Sequence, residues 1–282
     1  MQITVLIDNT GESELLCEWG LSFLIDYGGR RILLDFGASG RFAQNASALG
    51  IDLATVDCAV LSHAHHDHGG GIPAFLELNA KAPIYIATEA EEDCWAKGRS
   101  HSKGGLLAAL FEQRYIGLPY GTLEKAGDRL TRVSGPLQIA PGAWLIPHCG
   151  NTEAGSRQRL YRKRNGKLRT DDLKHEMSLV CEGEGGLVVL NSCSHTGPET
   201  ILAEVSRVLP GRKILAYIGG LHLYKTGRRG VAKVASALRA AGVEQLYTGH
   251  CTGEKAMEVL QESLCVRQLH SGLRIDFPIA GK

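Results

Sequence analysis

The sequence lacks a long apolar run, an excess of charge of either sign, and paired cysteines. Each shortage removes a class of function. No stretch approaches the ~20 consecutive apolar residues of a membrane-spanning helix, so no membrane partner is expected. The opening segment, "MQITVLIDNTGESELLCEWG", carries acids where a signal peptide needs a basic start and an apolar middle, and the expectation is a cytoplasmic protein. Net charge is +1 over 282 residues, so no global field points to nucleic acid. Eight cysteines are scattered without a CxxC pair, which reads as reduced thiols rather than a disulfide frame. Several, such as Cys58 in "VDCAVLS", read as small buried hydrophobes.

What is present is a rhythm. Short apolar runs alternate with glycine-marked turns, and hydrophobic residues make up 44% of the chain, enough for a substantial core. "ITVLID", "LSFLIDY" and "RILLDFG" read as strands, with Gly28-Gly29 as a tight hairpin turn between the last two. "FAQNASALG" reads as a helix stopped by Gly50, and "VDCAVLS" as a buried strand. In the second half, "GGLVVLNSCSH", "KILAYIGGLH" and "VEQLYTGH" read as strands separated by helices. Four strands thus deliver histidine at their carboxyl ends: His63 and His65, His195, His222 and His250. Sites in layered α/β folds gather at such ends. The stretch of roughly 95–175 is less regular. It contains a hairpin signal at Asn165-Gly166 within a basic run, Arg157 to Arg169, that has seven cations in thirteen residues. Solvated charge is the ordinary explanation of such a run. Guidance of an anionic substrate is the sharper one, because arginine pairs with phosphate through two parallel hydrogen bonds.

The segment "LSHAHHDHGG" packs His63, His65, His66, Asp67 and His68 into six positions. Imidazole and carboxylate are ligands for zinc and related divalent ions. On a loop leaving a strand, His63 and His65 can face one ion, and Asp67 with His68 can turn toward a second. Two such ions can clamp a substrate oxygen and acidify water. A closed structural site would not use so many ligands. His66 reads as a pocket residue rather than a ligand. The following Gly69–Gly71 reads either as a plain turn or as an anion-welcoming helix start.

Together with Asp35 in "ILLDFG", His195 in "CSHTG" and His250 in "TGHCTG", this segment resembles the signature of the metallo-β-lactamase superfamily, over essentially the whole chain. The resemblance implies a four-layer αββα sandwich, a single domain over 1–282 made of two similar halves, with an insertion or cap at about 95–175. It implies His63, His65 and His195 on a first metal, Asp67, His68 and His250 on a second, and His222 between them. There is one departure. Where most hydrolases of the superfamily carry a bridging aspartate, "YIGGLHL" presents His222. That feature, with Asp8-Asn9-Thr10 and His175-Glu176, is similar to a branch described as 7,8-dihydropterin-6-yl-methyl-4-(β-D-ribofuranosyl)aminobenzene 5′-phosphate synthase-like, or simply as metal-dependent hydrolases. A carboxylate bridges and neutralises two cations, whereas neutral imidazole binds one, so the second site is expected to be looser.

The expected function is metal-dependent hydrolysis of a small anionic metabolite, phosphorylated and pterin- or nucleotide-like. The cofactor is one or two zinc ions, with manganese or iron as alternatives. Asp67, His222 and His175 are the candidate catalytic groups, His175 as a proton donor to a leaving group. Asp35 is expected to orient ligands. Asp8 and Asn9 either reach the pocket or make a turn. His148, Cys149, Thr196-Gly197, His101, Lys103-Gly104-Gly105 and His270 are weaker candidates. Two rival readings use the same residues: an iron-dependent redox enzyme, and a non-catalytic pterin- or nucleotide-binding sensor.

Overall fold

The computed structural model describes residues 1–91, 93–97 and 113–279. His101, Lys103, Gly104 and Gly105 lie outside them. Among the described residues the strands, in chain order, are β1 (Gln2–Ile7), β2 (Ser22–Tyr27), β3 (Arg30–Leu34), β4 (Cys58–Val60), β5 (Ile84–Ala87), β6 (Asp93–Lys97), β7 (Gln113–Tyr115), β8 (Leu130–Val133) and β9 (Leu137–Ala140). They continue with β10 (Ala143–Pro147), β11 (Leu160–Arg164), β12 (Lys167–Thr170), β13 (Met177–Gly183), β14 (Gly186–Cys193), β15 (Ile214–Gly220), β16 (Gln245–Thr248), β17 (Val266–Gln268) and β18 (Arg274–Asp276).

Two seven-stranded sheets face each other, ordered β18-β1-β2-β3-β4-β5-β8 and β17-β16-β15-β14-β13-β10-β9. Each is antiparallel in one half and parallel in the other: β3, β4, β5 and β8 run parallel, as do β14 to β17. Alternation along the strands sorts side chains between layers. Phe23, Ile25, Ile32, Leu34, Val188 and Leu190 fill the space between the sheets. Leu24 and Leu33 face outward, where the helices Arg41–Ala48 and Ile72–Leu78 cover them with Phe42, Ala46 and Phe75. On the opposite face, Leu187 and Val189 pack against the helices Pro198–Val208, Arg228–Ala240 and Glu254–Gln261. The result is the expected αββα order. No helix among the described residues is long and apolar enough to cross a membrane.

The two-residue turn at Gly28 and Gly29, with φ of 59° and 83°, joins β2 to β3 directly. Positive φ at both central residues is what a tight hairpin matched to strand twist requires. The stretch 95–175 divides between layers. Strands β8, β9 and β10 belong to the two main sheets, and β12-β11-β6-β7 form a separate four-stranded sheet. The expected ribbon is β11 and β12, turning at Asn165 and Gly166. It is not uniformly solvated. Lys163, Lys167 and Arg169 are exposed, but Arg162 is buried, paired with Asp172 at 3.0 Å and donating to the Glu89 carbonyl. A buried guanidinium needs such partners to offset its lost hydration.

Candidate metal centre

The carboxyl ends of the parallel strands meet at one edge of the sandwich. The loop after β4 brings His63, His65, Asp67 and His68, while β14, β15 and β16 bring His195, His222 and His250. Ring centroids lie 4.6 Å apart for His63–His65, 4.8 Å for His65–His195 and 5.0 Å for His63–His195. They lie 4.3 Å apart for His195–His222 and 5.1 Å for His68–His250.

Four of the rings, His63, His68, His195 and His250, are held at Nδ1. The Asp35 carboxylate accepts from the Ser62 amide at 2.7 Å, the Ser62 hydroxyl at 2.6 Å and His68 Nδ1 at 2.8 Å. A carboxylate can only accept, so His68 carries its proton on Nδ1 and presents a lone pair at Nε2. The Ser62 hydroxyl has given its proton to Asp35 and accepts from His63 Nδ1 at 2.8 Å. Gln158 clamps His195, accepting from Nδ1 at 2.7 Å and donating to the His195 carbonyl at 2.7 Å. Asn9 does the same for His250, at 3.0 Å and 3.1 Å. The consequence is visible in what lacks a partner: His63 Nε2, His65 Nε2, His250 Nε2 and His222 Nδ1 are buried without a hydrogen bond. Orphaned buried nitrogens are expensive, and imidazole tautomers fixed from behind are how ligand histidines are prepared. Three ligand atoms, one each from His63, His65 and His195, lie within 4.8 Å of one another. The residues present fit a divalent cation.

Asp67 Oδ2 accepts from the Trp19 indole at 3.0 Å and lies 3.7 Å from His250 Nε2 and 3.9 Å from His68 Nε2. Burial alone would raise this carboxyl, but the imidazoles of His68 and His250 hold it well below the usual range. The backbone also is unusual. Asp35, His222 and His250 have φ of 60°, 52° and 48°, a left-handed conformation sparsely used by residues other than glycine and concentrated at functional positions.

Burial, reinforced by neighbouring rings, drives the imidazolium forms of His63 and His195 well down and His65 to about 3. Burial also lowers His250. Groups depressed in the fold but titrating near 6.5 when unfolded contribute stability above that value and lose it as pH falls. Three groups work in the opposite sense, Glu176 among them, raised by its burial. Asp8 is raised to about 7 by burial, and His68 is raised because Asp67 and Asp35 outweigh its burial. Four depressed histidines, two of them driven well down, against three raised groups set the sign. Chelator-treated protein is therefore expected to melt several degrees lower at pH 5 than at pH 7.5. A flat or rising melting temperature on acidification would contradict the neutral, buried assignment.

The weaker expectations separate. His175 does not offer a proton to a leaving group in this geometry. It is fully buried, its Nδ1 accepts from the Ala64 amide at 3.1 Å, and its Nε2 is engaged by Asp171 at 3.1 Å. It holds the loop between His63 and His65. Gly69–Gly71 form no open anion cradle: a Cβ on Gly70 would sit 2.2 Å from the Ala38 oxygen, and one on Gly71 2.1 Å from the Phe36 oxygen. These glycines let two backbones touch. Thr196 gives both its amide and its hydroxyl to Glu176, so neither awaits an anion. His148 is buried between Glu204 and Ser178. Cys149 is exposed, His270 half-buried, and His66 exposed beside the Ile116 carbonyl.

A cleft of about 1040 Å³ opens on His195 and His222. Among the described residues, Lys97, Arg157, Arg159, Lys225 and Lys233 line it with Glu199 as the one acid, and Leu221, Leu223 and Val234 add apolar wall. Only Arg157 and Arg159 of the basic run reach it. Trp19, Tyr224, Gln158 and Cys193 are site residues that motif reading missed. Cys193 alone had a signal: it stands two residues before His195, hence on the same side of the strand exit.

A family model described as the Metallo-beta-lactamase superfamily matches residues 20–149. The solved structure of Tm1679, described as a metal-dependent hydrolase of the beta-lactamase superfamily, superposes over 98% of both chains with a TM-score of 0.80 and 27% identity. The chain has the metallo-β-lactamase fold, and its first half carries the sequence similarity to that superfamily. The chain is also 28% identical, over 92% of its length and 90% of the relative's, to 7,8-dihydropterin-6-methyl-4-(beta-D-ribofuranosyl)-aminobenzene-5'-phosphate synthase of Methanocaldococcus jannaschii. A diphosphatase from the PhnP family shares the superfamily fold, with a TM-score of 0.55 over 99% of this chain and 98% of that one, at 16% identity. A divalent metal at the convergent strand ends accords with both the family and the orphaned imidazoles.

Proposed function

We propose that this chain is a metal-dependent hydrolase of a small phosphorylated metabolite with a flat, pterin- or nucleotide-like body. The observation that carries the reading is the set of buried imidazole nitrogens without partners, opening on a cationic cleft. His63, His65 and His195 would hold one zinc-class ion, and Asp67, His68 and His250 a second, with His222 beside both. A divalent ion held there supplies Lewis acidity and brings the ionisation of water toward neutral pH.

The protein's own groups do the rest. Gln158, Asn9, Asp35 and Ser62 fix the rings. Lys225, Lys233, Arg157 and Arg159 attract and orient the phosphate. Tyr224, whose ring lies 5.2 Å from that of His222, offers a face for a planar ring system. His222 is the candidate to carry a proton near the leaving group. The phosphate in the name of the archaeal relative agrees with an anionic substrate. So does the cleft, where, among the described residues, five cations face one carboxylate.

The test is a screen of zinc-, manganese- and iron-loaded protein against phosphomonoesters, phosphodiesters, lactones and thioesters. Phosphoester turnover is expected, and the Lys225→Ala/Lys233→Ala double variant should raise KM about tenfold with kcat nearly kept, each lost contact being worth under ~1 kcal/mol at an exposed site. Turnover confined to neutral lactones or thioesters, or a KM unmoved in the double variant, would reject the anionic assignment. Stoichiometric iron with thiol-dependent oxygen uptake would favour the redox rival, and pterin binding without turnover under any metal would favour the sensor.

A further inference from the structure

The charge balance at the site is incomplete. Seven side chains converge, yet Asp67 is the one carboxylate among them, and the position expected to bridge two ions holds His222. The structure places a different anion source in the gap. Cys193, the last residue of β14, is 2% exposed, and its Sγ lies 3.3 Å from His68 Nε2 and 3.2 Å from Cys251 Sγ. Its sulfur falls within 4.8 Å of ligand atoms in three separate groups: with His63 and His68, with His195 and His222, and with His250 and Cys251. One atom therefore reaches candidate ligands from the β4 loop and from the ends of β15 and β16.

Resting on the metal-centre reading above, we infer that Cys193 is a thiolate ligand of that centre, reached by candidate ligands from both sheets. The bland alternative is a small buried hydrophobe. That describes Cys58 and Cys181, which pack among the apolar side chains between the sheets. It does not describe a sulfur 3.3 Å from His68 Nε2 and within 4.8 Å of a ring nitrogen of His63 and one of His250. Ligation exchanges the S–H bond for a sulfur–metal bond and releases one proton to solvent, with no change of oxidation state. It supplies the negative charge that His222 cannot. A soft sulfur also biases the centre toward zinc or iron and away from magnesium or manganese.

The test is cobalt(II) loading of the full chain as wild type, Cys193→Ser and Cys251→Ala. Wild type is expected to show a near-ultraviolet sulfur-to-cobalt charge-transfer band that Cys193→Ser loses and Cys251→Ala retains. X-ray absorption on the zinc-loaded wild type needs no variant, and is expected to show one sulfur at about 2.3 Å. Stoichiometric cobalt without the band, a purely nitrogen and oxygen shell around zinc, or a band that survives Cys193→Ser would overturn the role of Cys193 while leaving the histidine site standing. Failure to retain cobalt at all would overturn the centre itself.

Discussion

Replacing His65 with alanine is expected to abolish turnover, by roughly 10³-fold or more, since even the outer partners of metal-binding histidines carry 10–100-fold. His65 is 5% exposed, its Nε2 has no hydrogen-bond partner, and its ring packs within 5 Å of both His63 and His195. A ring in that position has two possible uses, and they predict opposite things about stability. If it were core filler, His65→Ala would destabilise the metal-free protein as a cavity does. If it is a ligand, its orphaned nitrogen is itself a burden on the metal-free fold, worth about 1–3 kcal/mol. Relief of that burden largely offsets the cavity. Metal-free His65→Ala is therefore expected to melt within a few degrees of metal-free wild type, while the stabilisation that zinc gives wild type disappears. Calorimetric titration with zinc and paired melting curves check both halves. Unchanged turnover in a folded variant would place the chemistry elsewhere.

Asp35→Ala is expected to be the most damaging single change away from the ions themselves. The carboxylate is fully buried and accepts three hydrogen bonds, from the Ser62 amide, the Ser62 hydroxyl and His68 Nδ1. Removing it strands three donors at once and frees two imidazoles, because His63 leans on the same Ser62 hydroxyl. The expected loss is about 3–5 kcal/mol of stability, with zinc affinity down about 10–100-fold. Asp35→Asn keeps the shape, but its amide has a single acceptor oxygen, so it should fall between wild type and alanine on both counts. Denaturant melts and zinc competition against a chelating dye read the two effects. A variant that lost stability but bound zinc as tightly as wild type would make Asp35 a structural residue and nothing more.

Much of this was legible in the residues because it follows from local periodicity. Strands that end in histidine can be read from a two-residue alternation and a glycine turn, and so could the hairpins at Gly28-Gly29 and Asn165-Gly166. The HxHxDH spacing announces ligand chemistry without any fold. What stayed hidden is set by distant packing. Gln158 sits in an ordinary polar helix, Thr152–Gln158, and nothing nearby marks it as the clamp on His195. Arg162 looks like its solvated neighbours until β6 pairs with β11 and closes over it. His175 carries the right chemistry for acid catalysis, but its two nitrogens are spoken for by Ala64 and Asp171. Cys193 and Cys251 look like filler until two strands bring their sulfurs into contact.

The convergent histidines belong to both faces of the sandwich: the first cluster hangs from one sheet, His195, His222 and His250 from the other. An ion gripped from both sides is a rivet. It closes a covalent circuit that runs through most of the polypeptide, and loop closure over such a distance removes much of the unfolded chain's freedom. Catalysis and architectural integrity would then hang on the same few bonds, and starvation for metal would loosen the seam between the halves as surely as it silenced the chemistry.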